Sequence, residues 1–175
     1  MVIHRLDNLL SKFNRLGDVP ESVLRVSVAR ETASVQAKAR IGLGRHSKTG
    51  ELINSIHIMT EVYEGGVRGI CFTDKNYAAH VEFGTGPNGE AMHAGISPAV
   101  TPAYVQHGWM IPAKAMSREE AEDYGLGVVE KGGKVLGYLT NGQQAHPYMY
   151  PALKDNEDTI IKNIGADIKK GVRRI

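Results

Sequence analysis

Residues 56–73 read IHIMTEVYEGGVRGICFT, and this stretch decides the fold. Apolar side chains alternate with more polar ones from Ile56 to Tyr63, which is typical of a strand with one buried face. Residues 64–66, Glu-Gly-Gly, supply a turn, and a second run extends from Val67 to Thr73. The sequence therefore predicts a β-hairpin at this point of the chain.

Helical periodicity flanks the predicted hairpin on both sides. Upstream, the start signal at residues 18–21 predicts a helix over about residues 19–41, and an amphipathic helix precedes it within residues 1–17. We expect the 19–41 helix to pack on both sides. Its stripe of small residues consists of Val26, Ala29, Ala33 and Ala37. Downstream, the last helix begins at Pro151, with acidic residues near its start and basic residues near its end, as a helix macrodipole favours.

The chain between the hairpin and the last helix is less regular. The stretch from Tyr77 to Phe83 fits either a strand or two turns of helix, and we favour the helix. Glycine, proline and histidine punctuate residues 86–134, which we expect to form a long flexible loop insertion. Within it, Ser117 and Glu120 are spaced as a capping box for a short helix. Residues 134–140 predict a further strand.

Together these elements predict a single α+β domain over residues 1–175. It contains two N-terminal helices, a small and mostly antiparallel β-sheet interrupted by the long loop, and a C-terminal helix packed on the sheet. A chain of 175 residues is long enough to bury roughly two-thirds of its unfolded surface in one core.

The charge balance and the cysteine content exclude several classes of protein. Lys and Arg total 21 against 19 Asp and Glu, a net charge of +2, so we expect no protein-wide basic surface for binding nucleic acid. Cys71 is the only cysteine, which excludes an intrachain disulfide and a zinc site built on thiolates. No uncharged apolar run reaches the roughly 20 residues of a membrane span, and we expect a soluble protein without an export signal.

Histidines are the main candidates for catalytic residues. His80 and Glu82 have the His-x-Glu spacing of zinc deaminases, but that chemistry also needs a downstream Pro-Cys-x-x-Cys, which the sequence lacks. A small metal-dependent hydrolase stays open as the alternative function. Its candidate ligands are the loop histidines His80, His93, His107 and His146. No phosphate-binding glycine loop precedes a helix, and we expect no catalytic residue, no metal and no cofactor.

Three short segments in a fixed order carry a resemblance to a known family. They are TGELINSI at residues 49–56, YAAHVEFGTG at residues 77–86 and GQQAHPYMYPAL at residues 142–153. In this order, and over about residues 20–170, the chain resembles the head–tail joining, or tail-completion, proteins of long-tailed bacteriophages. The positions that match the family pattern are Thr49, Gly50, Leu52, Ser55, Tyr77, Val81, Glu82, Phe83, Gly84, Thr85, Pro147, Tyr148, Pro151, Ala152 and Leu153. The chain departs from the pattern at Tyr148, where the family often has phenylalanine, and in its long loop.

The resemblance implies a structural protein of the virion without catalytic activity. Such proteins assemble into a ring at the neck of the particle, and the six-fold symmetry of the tails implies a hexamer. The ring would adjoin a head-completion or portal-adaptor protein and a tail-terminator or tail-tube protein. DNA would pass through it transiently and without specific binding, and no membrane contact is implied. The implied location is the neck or tail of the virion, with assembly in the host cytoplasm.

Apolar side chains of the predicted loop are the candidates for contacts with partner proteins. They are Met92, Tyr104, Trp109, Met110 and Ile111. Trp109 is the best candidate anchor because large aromatic side chains dominate interface energetics. Outside the loop, Tyr148 and Tyr150, flanked by Pro147 and Pro151, either pack in the core, which we favour, or contact a partner. Glu82 is either buried, with Arg40 or Lys38 as a partner across the sheet, or exposed on a half-buried element.

Overall fold

The computed structural model describes residues 21–44 and 49–172, and the chain divides into two compact units. The first unit takes in the chain up to Lys75 and from Tyr148 onward, and the second is residues 76–147. Residues 86–134, predicted as a loop insertion in a single domain, lie inside the second unit. The helix predicted within residues 1–17 lies outside the described residues. The same holds for Asp18, which belongs to the start signal predicted for the next helix.

The elements combine helices with two small antiparallel sheets, which confirms the α+β class. In chain order they are α1 (Glu21–Leu43), α2 (Glu51–Asn54), β1 (Ile56–Tyr63), β2 (Gly66–Thr73), α3 (Ala78–Phe83), α4 (Gly86–Ala91), β3 (Trp109–Pro112), a 3-10 turn (Ala113–Ala115), α5 (Arg118–Asp123), β4 (Gly127–Lys131), β5 (Lys134–Thr140), α6 (Met149–Lys154) and α7 (Glu157–Val172). None of the helices in the described part of the chain combines the length and the apolar content that crossing a bilayer requires.

The strands β1 and β2 form the predicted hairpin. They pair antiparallel without a register shift, from Ile56 opposite Thr73 to Tyr63 opposite Gly66. The Ile56 side chain is fully buried, and its carbonyl oxygen accepts a hydrogen bond from Gln36 Nε2 of α1 at 2.6 Å. The hairpin therefore lies with one face and the start of β1 against α1.

A glycine in β2 allows α1 to come close to the hairpin. A Cβ at Gly69 would lie 1.9 Å from Thr32 Oγ1 and 3.1 Å from Val28 Cγ1. Thr32 is buried, and its hydroxyl donates to the Val28 carbonyl oxygen at 2.7 Å, which fixes the direction of the hydroxyl. The missing side chain at residue 69 therefore sets the spacing between the helix and the hairpin.

The helix α1 packs on both sides, as predicted, but through other residues than the predicted stripe. The stripe is wrong because Val26 is 69% exposed, and Ala33 and Ala37 are also exposed. The buried residues of α1 are Ser27, Val28, Glu31, Thr32, Val35, Ala39 and Leu43. Several of them are polar, and hydrogen bonds compensate their lost hydration. A search for small apolar residues does not detect such positions.

Polar and charged side chains join α1 to α7. Ser27 Oγ donates to Asp167 Oδ2 at 2.7 Å, and Arg30 Nη2 lies 2.8 Å from the same oxygen. Arg30 also donates to the buried Glu31 carboxylate, which accepts hydrogen bonds from Asn163 Nδ2 at 3.2 Å. The Ser27 hydrogen bond, followed by the Arg30 guanidinium, holds the pKa of Asp167 below its ordinary value.

The C-terminal part is divided into two helices. The helix predicted from Pro151 becomes α6 and α7, and α7 buries Ile160, Ile164 and Ile168. Its first turn is acidic and its last turn basic, as predicted. We predicted that it packs on the sheet, but α7 packs mainly on α1. The physical reason is that α1 already covers the buried face of the hairpin, so α7 meets the other side of α1.

The second unit contains a three-stranded antiparallel sheet in the order β3-β5-β4. The bounds of β5 are as predicted, α3 confirms the helical alternative, and Ser117 and Glu120 form the predicted capping box. The short helix predicted at the Ser117 capping box forms as α5, whereas the expectation of irregular chain over the rest of residues 86–134 is wrong where α4, β3 and β4 form. Strands of four and five residues, such as β3 and β4, are too short for an alternating pattern to stand out.

Replacement of Gly69 by alanine tests the close approach of α1 to the hairpin. We expect Gly69→Ala to lower the free energy of unfolding by about 2 kcal/mol, because the added Cβ collides with Thr32 in a packed interface. The further change Thr32→Ala removes the colliding oxygen and should recover about half of that loss. Urea unfolding of the purified variants measures both effects.

Gly165 provides the matched control. It lies in α7 of the same unit, and a Cβ there would meet nothing within 4 Å. We expect Gly165→Ala to stabilise the protein by roughly 0.5–1 kcal/mol, because alanine has the higher helix propensity. Equal destabilisation by the two alanines would contradict the close approach.

The pKa of Asp167 predicts how its contacts depend on pH. Because this pKa is lowered in the folded state, the contacts stabilise the fold fully above the ordinary pKa of 3.8 and are lost as the pH falls through the folded pKa. We expect Asp167→Asn to lower the thermal midpoint at neutral pH and to have progressively less effect as the pH falls below 3.8. Asp74→Asn, at an exposed carboxylate of the same unit, should have little effect at either pH. An Asp167→Asn effect that keeps its full size in acid would refute the assignment.

Candidate functional site

Two of the family motifs meet in the second unit. The motif over residues 77–86 forms α3, a short link and the start of α4. The first half of the motif over residues 142–153 runs beside these helices in extended, non-helical chain. We call residues 141–146 the clamped segment. Together with α3, α4 and the link between them it forms the candidate site, because five of the seven motif positions of this unit lie there, namely Val81, Glu82, Phe83, Gly84 and Thr85.

Hydrogen bonds join the middle of the clamped segment to His80, Thr85 and Met92. The Thr85 N–H donates to the Gln143 carbonyl oxygen at 2.9 Å, and Gln143 Nε2 donates to the His80 carbonyl oxygen at 2.8 Å. The Gln143 N–H in turn donates to Thr85 Oγ1 at 3.1 Å. Two residues further on, the Ala145 N–H donates to the Met92 carbonyl oxygen at 2.9 Å. The segment is thus bonded to α3, to α4 and to the link between them.

The two ends of the clamped segment are bonded as well. At the start, the Asn88 N–H donates to the Asn141 carbonyl oxygen at 3.0 Å, and Asn88 Nδ2 donates to the Gly142 carbonyl oxygen at 3.0 Å. At the far end, the His146 N–H donates to the Val81 carbonyl oxygen at 2.8 Å. We call the clamped segment, α3, α4, the link between them and the hydrogen bonds that join them the clamp. These hydrogen bonds satisfy backbone groups of a segment that belongs to no sheet.

Gly84 lets the backbones of the clamp touch. Its φ of +76° lies in the left-handed region that favours glycine. A Cβ at this position would lie 2.7 Å from the Ala145 nitrogen and 2.8 Å from the Gln143 carbonyl oxygen. Backbone conformation and space both exclude a side chain here, so the glycine of the motif serves packing.

Aromatic residues support the two helices of the clamp. Tyr104 Oη donates to the Phe83 carbonyl oxygen at 2.8 Å, and its ring stacks on His93 with centroids 5.8 Å apart. The His93 Nδ1 lies 3.2 Å from the Gly89 carbonyl oxygen. Burial, followed by the charge of Glu90, raises the pKa of the Tyr104 phenol. Tyr104, a predicted partner contact, has a role inside the unit.

The other predicted partner contacts differ in exposure. Met92 is 57% exposed and Met110 is 51% exposed. Trp109 is also exposed, although the edge of its ring lies against Gly86, and Ile111 is half-buried. Met92 and Met110 are therefore more available for an external contact than Tyr104 or Ile111.

The first motif, residues 49–56, joins α2 to the hairpin inside the first unit. Gly50 precedes α2 with a φ of +72°, and Leu52 is buried. The buried Ser55 donates its hydroxyl to the Leu52 carbonyl oxygen at 2.9 Å and lies 2.6 Å from Thr73 Oγ1. The Thr49 hydroxyl accepts a long hydrogen bond, 3.4 Å, from a backbone N–H. The motif therefore serves local packing.

Most of the remaining motif positions are half-buried, and three are buried. Tyr148 and Ala152 are buried in the first unit, and the position of a Cβ on Gly42 lies 3.5 Å from Tyr148 Cβ. This confirms the core-packing alternative for Tyr148. Glu82 is buried in α3, which confirms the buried alternative for that residue. The half-buried motif residues are Val81, Phe83, Thr85, Pro147, Pro151 and Leu153, whereas Tyr77 is 37% exposed.

The four histidines proposed as metal ligands differ in exposure. His80, His93 and His107 are exposed, and His146 is half-buried. Over residues 21–44 and 49–172, no group of three or more His, Cys, Asp or Glu side chains is placed to hold a metal ion. Cys71 is half-buried, with its Sγ 3.9 Å from Met149 Sδ, and burial raises the pKa of the thiol.

An open cleft of about 450 Å³ also lies in the second unit. Its lining residues are Asn88, Gly108, Tyr124, Gly125, Leu126, Gly127, Leu139, Thr140, Asn141 and Gly142. They present carboxamides, backbone groups, apolar side chains, a hydroxyl and a phenol. These groups offer hydrogen-bond donors and acceptors next to apolar surface.

Sequence reasoning missed the polar residues of the clamp. Gln143 and Asn88 make several of its hydrogen bonds, yet neither stands at a matched motif position. A usable signal was present in Gly84 and Gly89, because paired glycines away from a helix start often mark backbones in close approach.

Comparison of the chain with protein-family models, with curated proteins and with solved structures finds no match.

Replacement of Gly84 by alanine tests the clamp. We expect Gly84→Ala to destabilise the second unit by more than about 2 kcal/mol, because backbone strain and a collision with the clamped segment add up. Gly125→Ala is the control, since Gly125 has a similar φ of +66° but nothing within 4 Å. It should cost only about 1 kcal/mol.

Amide hydrogen exchange read by mass spectrometry measures this effect. We expect faster exchange over residues 76–147 in Gly84→Ala than in Gly125→Ala. Identical exchange in the two variants would show that the clamp does not hold the unit together.

Proposed function

We propose that the chain is a non-enzymatic structural protein of a long-tailed bacteriophage virion, acting in tail completion or as a head–tail connector. The observation that carries the proposal is the ordered set of three motifs, together with the use of their residues for packing. Ser55, Tyr148 and Ala152 are buried in the first unit, and Gly84 and Thr85 belong to the clamp. A ring subunit needs such fixed geometry, because every copy must present the same surfaces to its neighbours.

Exposed apolar side chains of the second sheet support a contact with another protein. Met110 on β3 lies opposite Leu139 on β5, and both side chains are more than half exposed. Grouped apolar side chains on a surface mark interaction sites. We assign this pair, with Met92 and Trp109 as further candidates, to contact with the adjacent head-completion, portal-adaptor, tail-terminator or tail-tube protein.

The proposed assembly is a closed ring of copies of this chain. A hexamer would match the six-fold symmetry of the tails that the resemblance implies. DNA passes through its channel transiently and without specific recognition, which agrees with a net charge of +2 per copy. The protein would assemble in the host cytoplasm and remain in the neck or tail of the virion.

Deletion of the coding region from a phage that encodes this chain tests the proposal. We expect filled heads and complete tails to accumulate unjoined, because the ring that connects them is missing. Wild-type protein supplied in trans should restore infectious particles. Electron microscopy of lysates and plaque counts are the readouts, and normal infectious particles without the protein would overturn the proposal.

Complementation with Leu139→Ser separates the surface contact from folding. We expect this variant to lower the plaque count at least about tenfold while unfolding at nearly the wild-type temperature, because the side chain is exposed. Leu136→Ser is the matched control, since Leu136 lies on the same strand, is also exposed and is paired with neither β3 nor β4, so it stands outside the Met110 and Leu139 pair. An equal loss of plaque count in both variants would contradict the assignment of Leu139 to this contact.

A further inference from the structure

Within residues 21–44 and 49–172, the hairpin of the first unit has two edges without a strand partner, because β1 and β2 pair only with each other. Each strand therefore has an outer edge that no other strand covers, apart from the Ile56 carbonyl oxygen, which accepts from Gln36 and Arg40. An uncovered edge offers hydrogen-bonding groups to the strand of another chain.

The edges of the second sheet carry the devices that proteins use against such pairing. The edge strand β3 has four residues and ends in Pro112, which has no N–H to donate. The other edge strand, β4, shifts register between Val129 and Glu130, and Arg118 of α5 forms an ion pair with Glu130. By contrast, β1 and β2 have eight residues each, no proline and no register shift. The hairpin is thus the sheet left open for pairing.

The hairpin face turned away from α1 is apolar at its centre and charged beside it. Met59 on β1 lies opposite Ile70 on β2, and Met59 is 42% exposed. One step further along the same face, Glu61 lies opposite Arg68. The two edges therefore carry opposite charges, acidic on β1 and basic on β2.

We propose that the partner of this hairpin is a second copy of the chain, with β1 of one copy pairing antiparallel with β2 of the next. In this arrangement Glu61 lies opposite Arg68 of the neighbouring copy, and Met59 lies opposite Ile70 of that copy. The register that β1 and β2 share within one chain is repeated between chains. The contact joins two different edges, so it continues from copy to copy and closes into a ring when the rotation allows. This deepens the proposed function, on which it rests for the choice of a ring.

Charge reversal in the full-length protein tests the pairing. Light scattering after size exclusion should show self-association of the wild type in the micromolar range. We expect Glu61→Arg and Arg68→Glu, each alone, to weaken it roughly tenfold or more, because like charges then face each other across the contact. An equimolar mixture of the two variants should associate again, since each acidic edge then meets a basic edge.

Recovery of association in the mixture would exclude charge repulsion within one chain as the cause of the weakened association. Each variant keeps two like charges at positions 61 and 68 of its own hairpin, so only contacts between copies can be restored by mixing. Far-UV circular dichroism confirms that both variants are folded. Lys131→Glu, a charge reversal on the protected strand β4, is the matched control and should leave association unchanged.

Three outcomes would overturn the pairing: a wild type that stays monomeric, variants that associate like the wild type, or a mixture that stays dissociated. None of these decides the proposed function, because the purified protein is tested without heads or tails. Complementation of the deleted phage decides that function independently. Arg68→Glu that fails to self-associate yet supports normal particle numbers would show that the virion does not use the edge contact to build its ring, and it would leave the connector role intact.

Discussion

The packing of α1 on both sides is the constraint on which the first unit depends. The hairpin, α6 and α7 all contact this helix. One row of its side chains, including Thr32, faces the hairpin, and the neighbouring row, including Ser27 and Glu31, faces α7. A buried carboxylate such as Glu31 costs several kcal/mol unless it is paired, so α7 must deliver Asn163 to the right place. A two-stranded hairpin is only marginally stable by itself and needs the helix as its support.

The second unit is held together in a different way. Its buried apolar side chains, among the described residues, are the small Ala78 and Ala121 and the ring of Tyr138. Much of its order comes from backbone hydrogen bonds around the clamped segment and from the close approach at Gly84. A unit that uses few apolar side chains internally keeps others, such as those of the Met110 and Leu139 pair, on its surface. The proposed contact with an adjacent virion protein uses that surface.

The outcome of the sequence analysis follows the range of the interactions involved. The hairpin, the strand over residues 134–140 and the Ser117 capping box were predicted correctly, because each depends on residues a few positions apart. The prediction that the stripe with Val26 and Ala33 is buried was wrong. Polar residues such as Ser27 are buried in its place, because hydrogen bonds to distant residues compensate their lost hydration. The likeness to tail-completion proteins stays a prediction from motif order.

Local residue patterns were enough to place most helices and strands and to assign the α+β class. They could not decide which side of α1 is buried or where the closing helix packs, since Ser27 and Asp167 are 140 positions apart. They also could not show that residues 141–146 lie in a clamp or that the hairpin edges stay open. Those features depend on which segments meet in the folded chain, and alternation or helical periodicity reports only the neighbours along it.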